Sequence, residues 1–502
     1  MPINDSDNDE TARIINFIKT KKATFWSQLR GETTLNIFKE AARRVPAYRD
    51  FLAKNKINPN KINNLKDFQK VPTISKATYL RQYPLEKLCW DGALNKPLVF
   101  TSSSGSTGEP FYFPRNYRLD WQASVIHELF FKNSSYKKSG PTLIIIGFGM
   151  GVWIGGLITY KAFEIASQRG NYPVSIITPG INKQEIFKAL KNLAPHYKET
   201  IFIAYPPFMK DVIDEAGQQG INLKKLNIRL LSAAEAFTEK FRDYIVKKAG
   251  VRNLYLDTLN VYGTADIGAM AWETPATILI RRLALKNKKL FAEIFHTTKT
   301  PTLAQYNPMF VNFESIDGHI LLTGNNEIPL IRYDIGDNGT VFSFKEIKNT
   351  FQKFGIDLNK EAHRAGIKNQ LYELPFVAVY ERSDFAVKLH LRDIYPEIIR
   401  DILISKKLAR ILTGKFTMIT KYDQKQDQYL ELNLEIRKNK KSSLRFGKLV
   451  HKEISRDLHL KTEGPGSPDI FLKNHNVLKI IFWPAEHPEH FKPGIKQKWV
   501  KK

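Results

Sequence analysis

The chain has 502 residues, 42% hydrophobic and 12% aromatic, which is enough apolar surface for sizeable cores and excludes a disordered chain. Its 77 Lys and Arg against 50 Asp and Glu leave a net charge of +27, a field that draws phosphorylated small molecules, acidic proteins, nucleic acid or anionic lipid. One cysteine, Cys89, excludes an intramolecular disulfide framework and any multi-cysteine metal site; with a polar start, MPINDSDNDE, that lacks a secretory pattern, it leads to the expectation of a cytoplasmic protein.

In chain order, the first informative stretch is FTSSSGSTGEPFYF, residues 100–113. PLVF before it and FYFPRN within and after it predict two strands, so Thr101 to Glu109 forms a hairpin-like loop of hydroxyls and bare backbone. Such a loop can wrap an oxyanion with amide N–H groups, or it can be a Ser/Gly linker. It is not a G-x-x-x-x-G-K-[ST] loop, because Glu109 follows Gly108. Residues 142–160, TLIIIGFGMGVWIGGLITY, are uncharged over the length a bilayer requires, but five glycines favour a buried strand, a glycine turn and a helix. No membrane span is expected. The same alternation recurs in PVSIITPG before NKQEIFKALKNL and in ETIFIAYP before PFMKDVIDEAG, which predicts a parallel α/β sheet. The glycine spacing misses G-x-G-x-x-G, so no dinucleotide fold follows. Beyond about residue 380 the pattern becomes a helix from Pro396, a strand pair FTMIT and YLELNLEI turned at KYDQKQDQ, and a helix from Ser443. That predicts a small α+β layer with a boundary near Glu381.

Five blocks in fixed order carry a resemblance: SSSGSTGEP, SAAEAFT (232–238), YGTADIG (262–268), IPLIRYDIGDNG (328–339) and ERSDFAVKLHLRDIYP (381–396). With the entry segment between Arg44 and Tyr79, they resemble the signature blocks of the adenylate-forming (acyl-CoA synthetase) superfamily, closest to its phenylacetate–CoA ligase branch. The resemblance covers about residues 40–500. It implies a large α/β N-terminal adenylate-forming domain of mixed sheets and helices over 1–380. A small mobile α+β lid domain would follow over 381–502.

The resemblance also implies roles. Ser103, Ser104, Gly105, Ser106, Thr107 and Gly108 would hold the β and γ phosphates of ATP. Ala234 and Glu235 would form the adenine turn, Tyr262 would stack on adenine, and Gly263 and Thr264 continue that block. Asp337 would accept from both ribose hydroxyls with Arg382 beside it, and Asp266, where the family has Glu, would bind Mg²⁺. Asp384 would be the hinge. In GIKQKWV, Lys496 would reach the acyl phosphate, with Lys498 as the rival alignment. Phe148, Trp153, Tyr205 and Phe208, at predicted strand ends, would line the acyl pocket.

The implied reaction joins a small aryl or hydrophobic carboxylic acid to AMP with loss of pyrophosphate, then passes it to a thiol. CoA is the expected acceptor; an acidic carrier protein or an amine is the alternative, as is a nucleotide-binding relative without catalysis. No recognition motif accompanies the charge, so nucleic acid is not expected. Three departures stand out: Glu109 replaces the usual loop lysine, Glu381 a hinge glycine, and Leu391 a glycine near the pantetheine path. His487 and His490 in HPEH are expected at the surface rather than on a metal.

Overall fold

A computed structural model describes the chain apart from residues 1–4, 104–108, 137–139, 298–299, 381–386, 390–391, 425–426, 463–470, 472–476, 492–498 and 501–502. The predicted loop stems are the antiparallel strands β1 (Val99–Ser102) and β2 (Tyr112–Arg115). The glycine-rich run is not a span: it divides into β3 (Thr142–Gly147), a turn, and the helix Ile154–Gly170. All six residues of β3 are buried, as a parallel strand covered on both faces must be. No helix among the described residues is long and apolar enough to cross a membrane.

From β3 the chain repeats strand and helix through β4 (Val174–Ile177), β5 (Glu199–Ala204), β6 (Ile228–Ala233) and β7 (Thr258–Thr264). These five strands pair in parallel in the order β4-β3-β5-β6-β7. The sheet then turns antiparallel through β8 (Gly268–Trp272), β9 (Thr302–Gln305), β10 (Val311–Ile316), β11 (His319–Gly324), β12 (Leu330–Phe342) and β13 (Phe376–Tyr380). It totals eleven strands. Apolar clusters fill both of its faces: alternate residues of β3 serve opposite ones, Leu143 and Ile145 packing with Phe208 and Val212, Ile144 and Ile146 with Trp121 and Phe163. The entry helices pack elsewhere, with Phe38, Tyr48 and Phe68 against Phe313, Leu322 and Tyr333 of the antiparallel half.

The C-terminal elements are β14 (Val387–Leu389), β15 (Arg392–Ile394), the helix Pro396–Leu403, β16 (Leu412–Tyr422), β17 (Gln428–Ile436), the helix Leu444–Thr462 and β18 (Leu478–Trp483). The helix starts and the strand pair follow the sequence expectation. β18, which joins β17 in parallel, was not anticipated, because LKIIFW alone cannot be told from a buried helical turn by periodicity. The buried cluster here, including Val387, Ile399, Phe416, Leu432, Val450 and Trp499, is drawn only from this part of the chain.

Candidate active site

The order β4-β3-β5 means that the chain leaves β3 toward one side and then continues on the other, and at such a reversal a crevice opens beyond the carboxyl ends of the strands. Gly147 ends β3 opposite Ala204 at the end of β5, so the next residues, Phe148 and Tyr205, meet there with ring centroids 4.9 Å apart. Only glycine fits at 147, where a Cβ would stand 2.9 Å from the Ile203 carbonyl oxygen. Burial raises the Tyr205 phenol, opposed by a hydrogen bond with the Gly149 backbone. Trp153 lies on the same turn, against Gly149, and is 45% exposed. Phe208 departs from expectation. One turn into the helix Pro206–Glu215, it packs with Met209 and Val212 in the cluster on the other face of the sheet from Phe148. It is buried, 6% exposed.

Beyond its end β6 delivers a strained turn: Ala234 holds φ at 72°, in the left-handed region that an alanine seldom occupies. The Glu235 carbonyl accepts from Asn260 Nδ2 at 3.2 Å, and its carboxylate accepts from Trp499 Nε1 at 3.2 Å with Arg400 Nη2 3.9 Å away. Next to it, β7 presents Tyr262, Gly263 and Thr264. The Tyr262 hydroxyl donates to Asp337 Oδ2 at 2.6 Å, joining two expected site residues 75 positions apart. The Thr264 Oγ1 is buried without a hydrogen-bond partner among the described residues. Gly263 allows the close pairing with β8, since a Cβ there would lie 2.7 Å from the Gly268 oxygen. Ser103 closes the base of the expected phosphate loop: its N–H donates to the Phe111 carbonyl at 3.0 Å and its Oγ accepts from the Phe111 N–H at 2.8 Å. Ser104, Gly105, Ser106, Thr107, Gly108, Arg382, Asp384, Lys496 and its rival Lys498 lie outside the described residues, as does Leu391.

Asp266 is buried beside this group, but its carboxylate is already engaged. Oδ2 accepts from the Tyr333 hydroxyl at 2.6 Å and pairs with Lys76 Nζ at 3.1 Å. The described residues contain no group of three or more His, Cys, Asp or Glu side chains able to hold a metal. A protein-built metal site does not fit here, because the single carboxylate expected to serve it is neutralised by an ammonium. Lys76 was missed in the sequence, although it stands within the entry block PTISKATY, whose likeness was noted without a role.

Trp499 and Arg400, also missed, reach Glu235 from the C-terminal elements, with the Arg400 guanidinium 4.4 Å over the Trp499 ring. With Pro206, Lys210 and Phe237 they line a cleft between those elements and the large sheet. His490 stacks on Trp483 at 4.2 Å, which accounts for the HPEH histidine by packing. Cys89 is buried, and burial pushes its thiol up to about 12, leaving it unreactive.

No family model matches the chain. It is similar to the phenylacetate–coenzyme A ligase of Pseudomonas putida, 24% identical over 232 residues, 46% of this chain and 48% of that protein. The enzyme of the same name from Thermus thermophilus is 21% identical over 230 residues, 45% of this chain and 46% of that one. The match thus spans about half the length of each relative. Among solved structures, 2-hydroxyisobutyryl-CoA ligase in its postadenylation state aligns over 97% of this chain and 91% of its own, with a TM-score of 0.68 at 12% identity. The same ligase in its thioesterification state, with acyl-AMP and CoA, aligns over 95% and 90% with a TM-score of 0.52 at 13% identity. The chain has the fold of the solved CoA ligase, and somewhat under half of it is similar in sequence to phenylacetate–CoA ligases.

Proposed function

We propose that the protein activates a carboxylic acid with ATP and passes the acyl group to the thiol of CoA. A carboxylate oxygen attacks the α-phosphorus, pyrophosphate leaves, and acyl-AMP remains bound; the thiol sulfur then attacks the acyl carbonyl and AMP departs. One observation carries this reading above the others: Tyr262 and Asp337, from distant strands, converge in one hydrogen bond beside the strained Ala234–Glu235 turn. A hydrophobic face and a paired acidic acceptor suit adenine and ribose respectively.

In this reading Asp337 accepts from the ribose, and the amides and hydroxyls of residues 103–108 hold the β and γ phosphates. The Thr264 hydroxyl, without a hydrogen-bond partner among the described residues, donates to the α-phosphate. Mg²⁺ arrives bound to ATP. Phe148, Tyr205 and Trp153 wall the acyl pocket, which suits an aryl or hydrophobic acid. The domain division falls near Glu381, Asp384 is the pivot, and Arg382 stands by the ribose. Lys496 supplies a mobile cation to the acyl phosphate in the adenylating pose. The better superposition on the postadenylation state of 2-hydroxyisobutyryl-CoA ligase supports that assignment of the pose. The lone buried cysteine supports a reducing, cytoplasmic setting.

The test is ATP–pyrophosphate exchange across aryl, fatty and amino acids, followed by CoA against carrier protein and amine as acceptor. We expect exchange with an aryl or hydrophobic acid and acyl-CoA as product. Asp337→Asn should raise the ATP KM by about tenfold, the weight of one charge-assisted hydrogen bond. Absence of exchange with every acid overturns the reading; acylation of a carrier alone corrects its second half.

A further inference from the structure

Asp266 and Lys76 present the observation that the nucleotide assignment does not absorb. The Asp266 side chain is 4% exposed and the Lys76 side chain 34%, so the carboxylate is sealed while the ammonium keeps an open side. The position of Lys76 is set by backbone. The Ile74 N–H donates to the Arg332 carbonyl at 3.2 Å and the Ile74 carbonyl accepts from the Asp334 N–H at 2.8 Å, adding residue 74 to the edge of β12. A Ser75–Thr78 turn follows, with Ser75 N–H to Thr78 Oγ1 at 3.0 Å and Thr78 N–H to Ser75 Oγ at 3.1 Å. The ammonium comes to rest 5.6 Å from the Phe113 ring, on the strand that leaves the expected phosphate loop. One turn later, Arg81 donates to the Glu109 carbonyl, tying the same segment to the far stem of the loop.

Two departures from the family pattern meet here. The loop has Glu109 where the resemblance implies lysine, so it lacks its own cation, and position 266 has Asp where the resemblance implies Glu. The shorter side chain draws the carboxylate one methylene back toward Tyr333 and Lys76. A divalent ion on the same oxygen, at the roughly 2.1 Å such ions require, would stand no more than about 5 Å from the ammonium and repel it. The two cations compete for that oxygen.

We propose that Asp266 is not a metal ligand but the anchor of an internal cation, Lys76, which faces the ATP phosphates and supplies the charge that the loop lacks. The proposal rests on the assignment of the site to ATP. A buried carboxylate needs a partner, Lys76 is that partner, and its exposed side leaves two ammonium hydrogens for phosphate oxygens.

Two measurements test it on the full chain. Mn²⁺ titration followed by electron paramagnetic resonance, without nucleotide, reads whether Asp266 binds metal. Wild type should show no stoichiometric site that Asp266→Asn removes. Calorimetric titration with metal-free ATP reads the phosphate-facing charge: Lys76→Met should weaken binding at least tenfold and Lys76→Arg should restore most of it, with thermal unfolding checking that each variant folds. A stoichiometric Mn²⁺ site in wild type that Asp266→Asn removes overturns the proposal, as does unchanged metal-free ATP affinity in Lys76→Met. Wild type that binds no ATP overturns the nucleotide assignment and the phosphate-facing role with it, while the Mn²⁺ titration still decides what Asp266 holds.

Discussion

Two buried ionic clusters in this protein are built from the same residue types and do different things. The first lies wholly within the large sheet's own layers. Glu239 pairs with Arg242 at 3.2 Å, Arg281, and Arg282 at 2.9 Å, and Glu273 pairs with Arg242 at 2.7 Å and Arg281 at 2.9 Å. The second lies along the helix Pro206–Glu215 and crosses to the C-terminal strands. Asp214 pairs with Lys210 at 2.7 Å and Arg437 at 2.6 Å, Lys415 with Asp211 at 2.5 Å, and Lys183 with Glu486 at 3.0 Å. The Lys210 ammonium also donates to the Thr413 carbonyl. Around the same seam, Thr238 Oγ1 donates to Asp401 at 2.6 Å and Arg400 Nη1 to the Ala236 carbonyl at 2.7 Å. The first cluster is enclosed by one continuous core. The second joins the helix Pro206–Glu215 to the C-terminal strands, beside Ile404, which packs into the large sheet's cluster, and its charges can regain water where that seam opens. An apolar seam of equal area would not recover its loss in that way.

The largest effect is expected at the enclosed cluster. Glu239→Ala leaves the buried Arg242 and Arg281 with too little negative charge. It should cost about 3–5 kcal/mol of global stability, read as a fall in the urea midpoint. The next effect separates the two clusters. Asp214→Ala should weaken the seam by about 1–3 kcal/mol. It should speed hydrogen exchange in residues 206–215 and 412–437 while leaving exchange around Glu239 unchanged. Equal loss of protection in both regions would show that the bodies unfold as one.

Acid should affect both clusters in the same direction. Burial alone would raise the Asp214 carboxyl, but Lys210 and Arg437 outweigh it and hold it well below the usual range. Burial opposes Arg242 and Arg281 at Glu239 in the same way, and its pKa falls to about 2. For carboxyls whose folded pKa is depressed, the stabilisation is fully present above the unfolded value near 4 and is lost as pH falls through the folded value. Thermal unfolding should therefore show loss from these groups only below about pH 4. Burial raises Glu435 despite Lys415, so its contribution has the opposite sign and weakens as pH rises through its raised value. The smallest effect belongs to exposed pairs such as Lys188–Glu185 at 2.7 Å, where Lys188→Ala should change stability by less than about 0.5 kcal/mol.

Much of this was legible in the sequence. The alternation around LIII, SIIT and IFIA predicted the parallel strands, of which β3 and β5 are buried on both faces and apolar while β4 forms the half-buried edge, and the five glycines argued correctly against a span. The C-terminal helices and the β16–β17 pair followed from period and turn residues. The antiparallel half was not legible, since β10, VNFESI, mixes polar with apolar residues and β12, LIRYDIGDNGTVF, carries a run DIGDNG that reads as a turn. Of the four aromatics expected in the acyl pocket, Phe148 and Tyr205 meet at the strand ends, whereas Phe208 sits three residues into a helix and faces the opposite layer. Local sequence names strand ends but not the side of the sheet a following side chain will take.

What the sequence determined by itself was the fold class, because apolar period, glycine turns and block order are local properties that survive in one dimension. What only the tertiary structure decided was who neutralises whom. Lys76 and Asp266 are 190 positions apart, Trp499 and Glu235 264 apart, and Arg437 and Asp214 223 apart. No spacing rule connects them, because an ion pair is selected by the few ångströms between two charges after the backbone has packed, not by their separation along the chain.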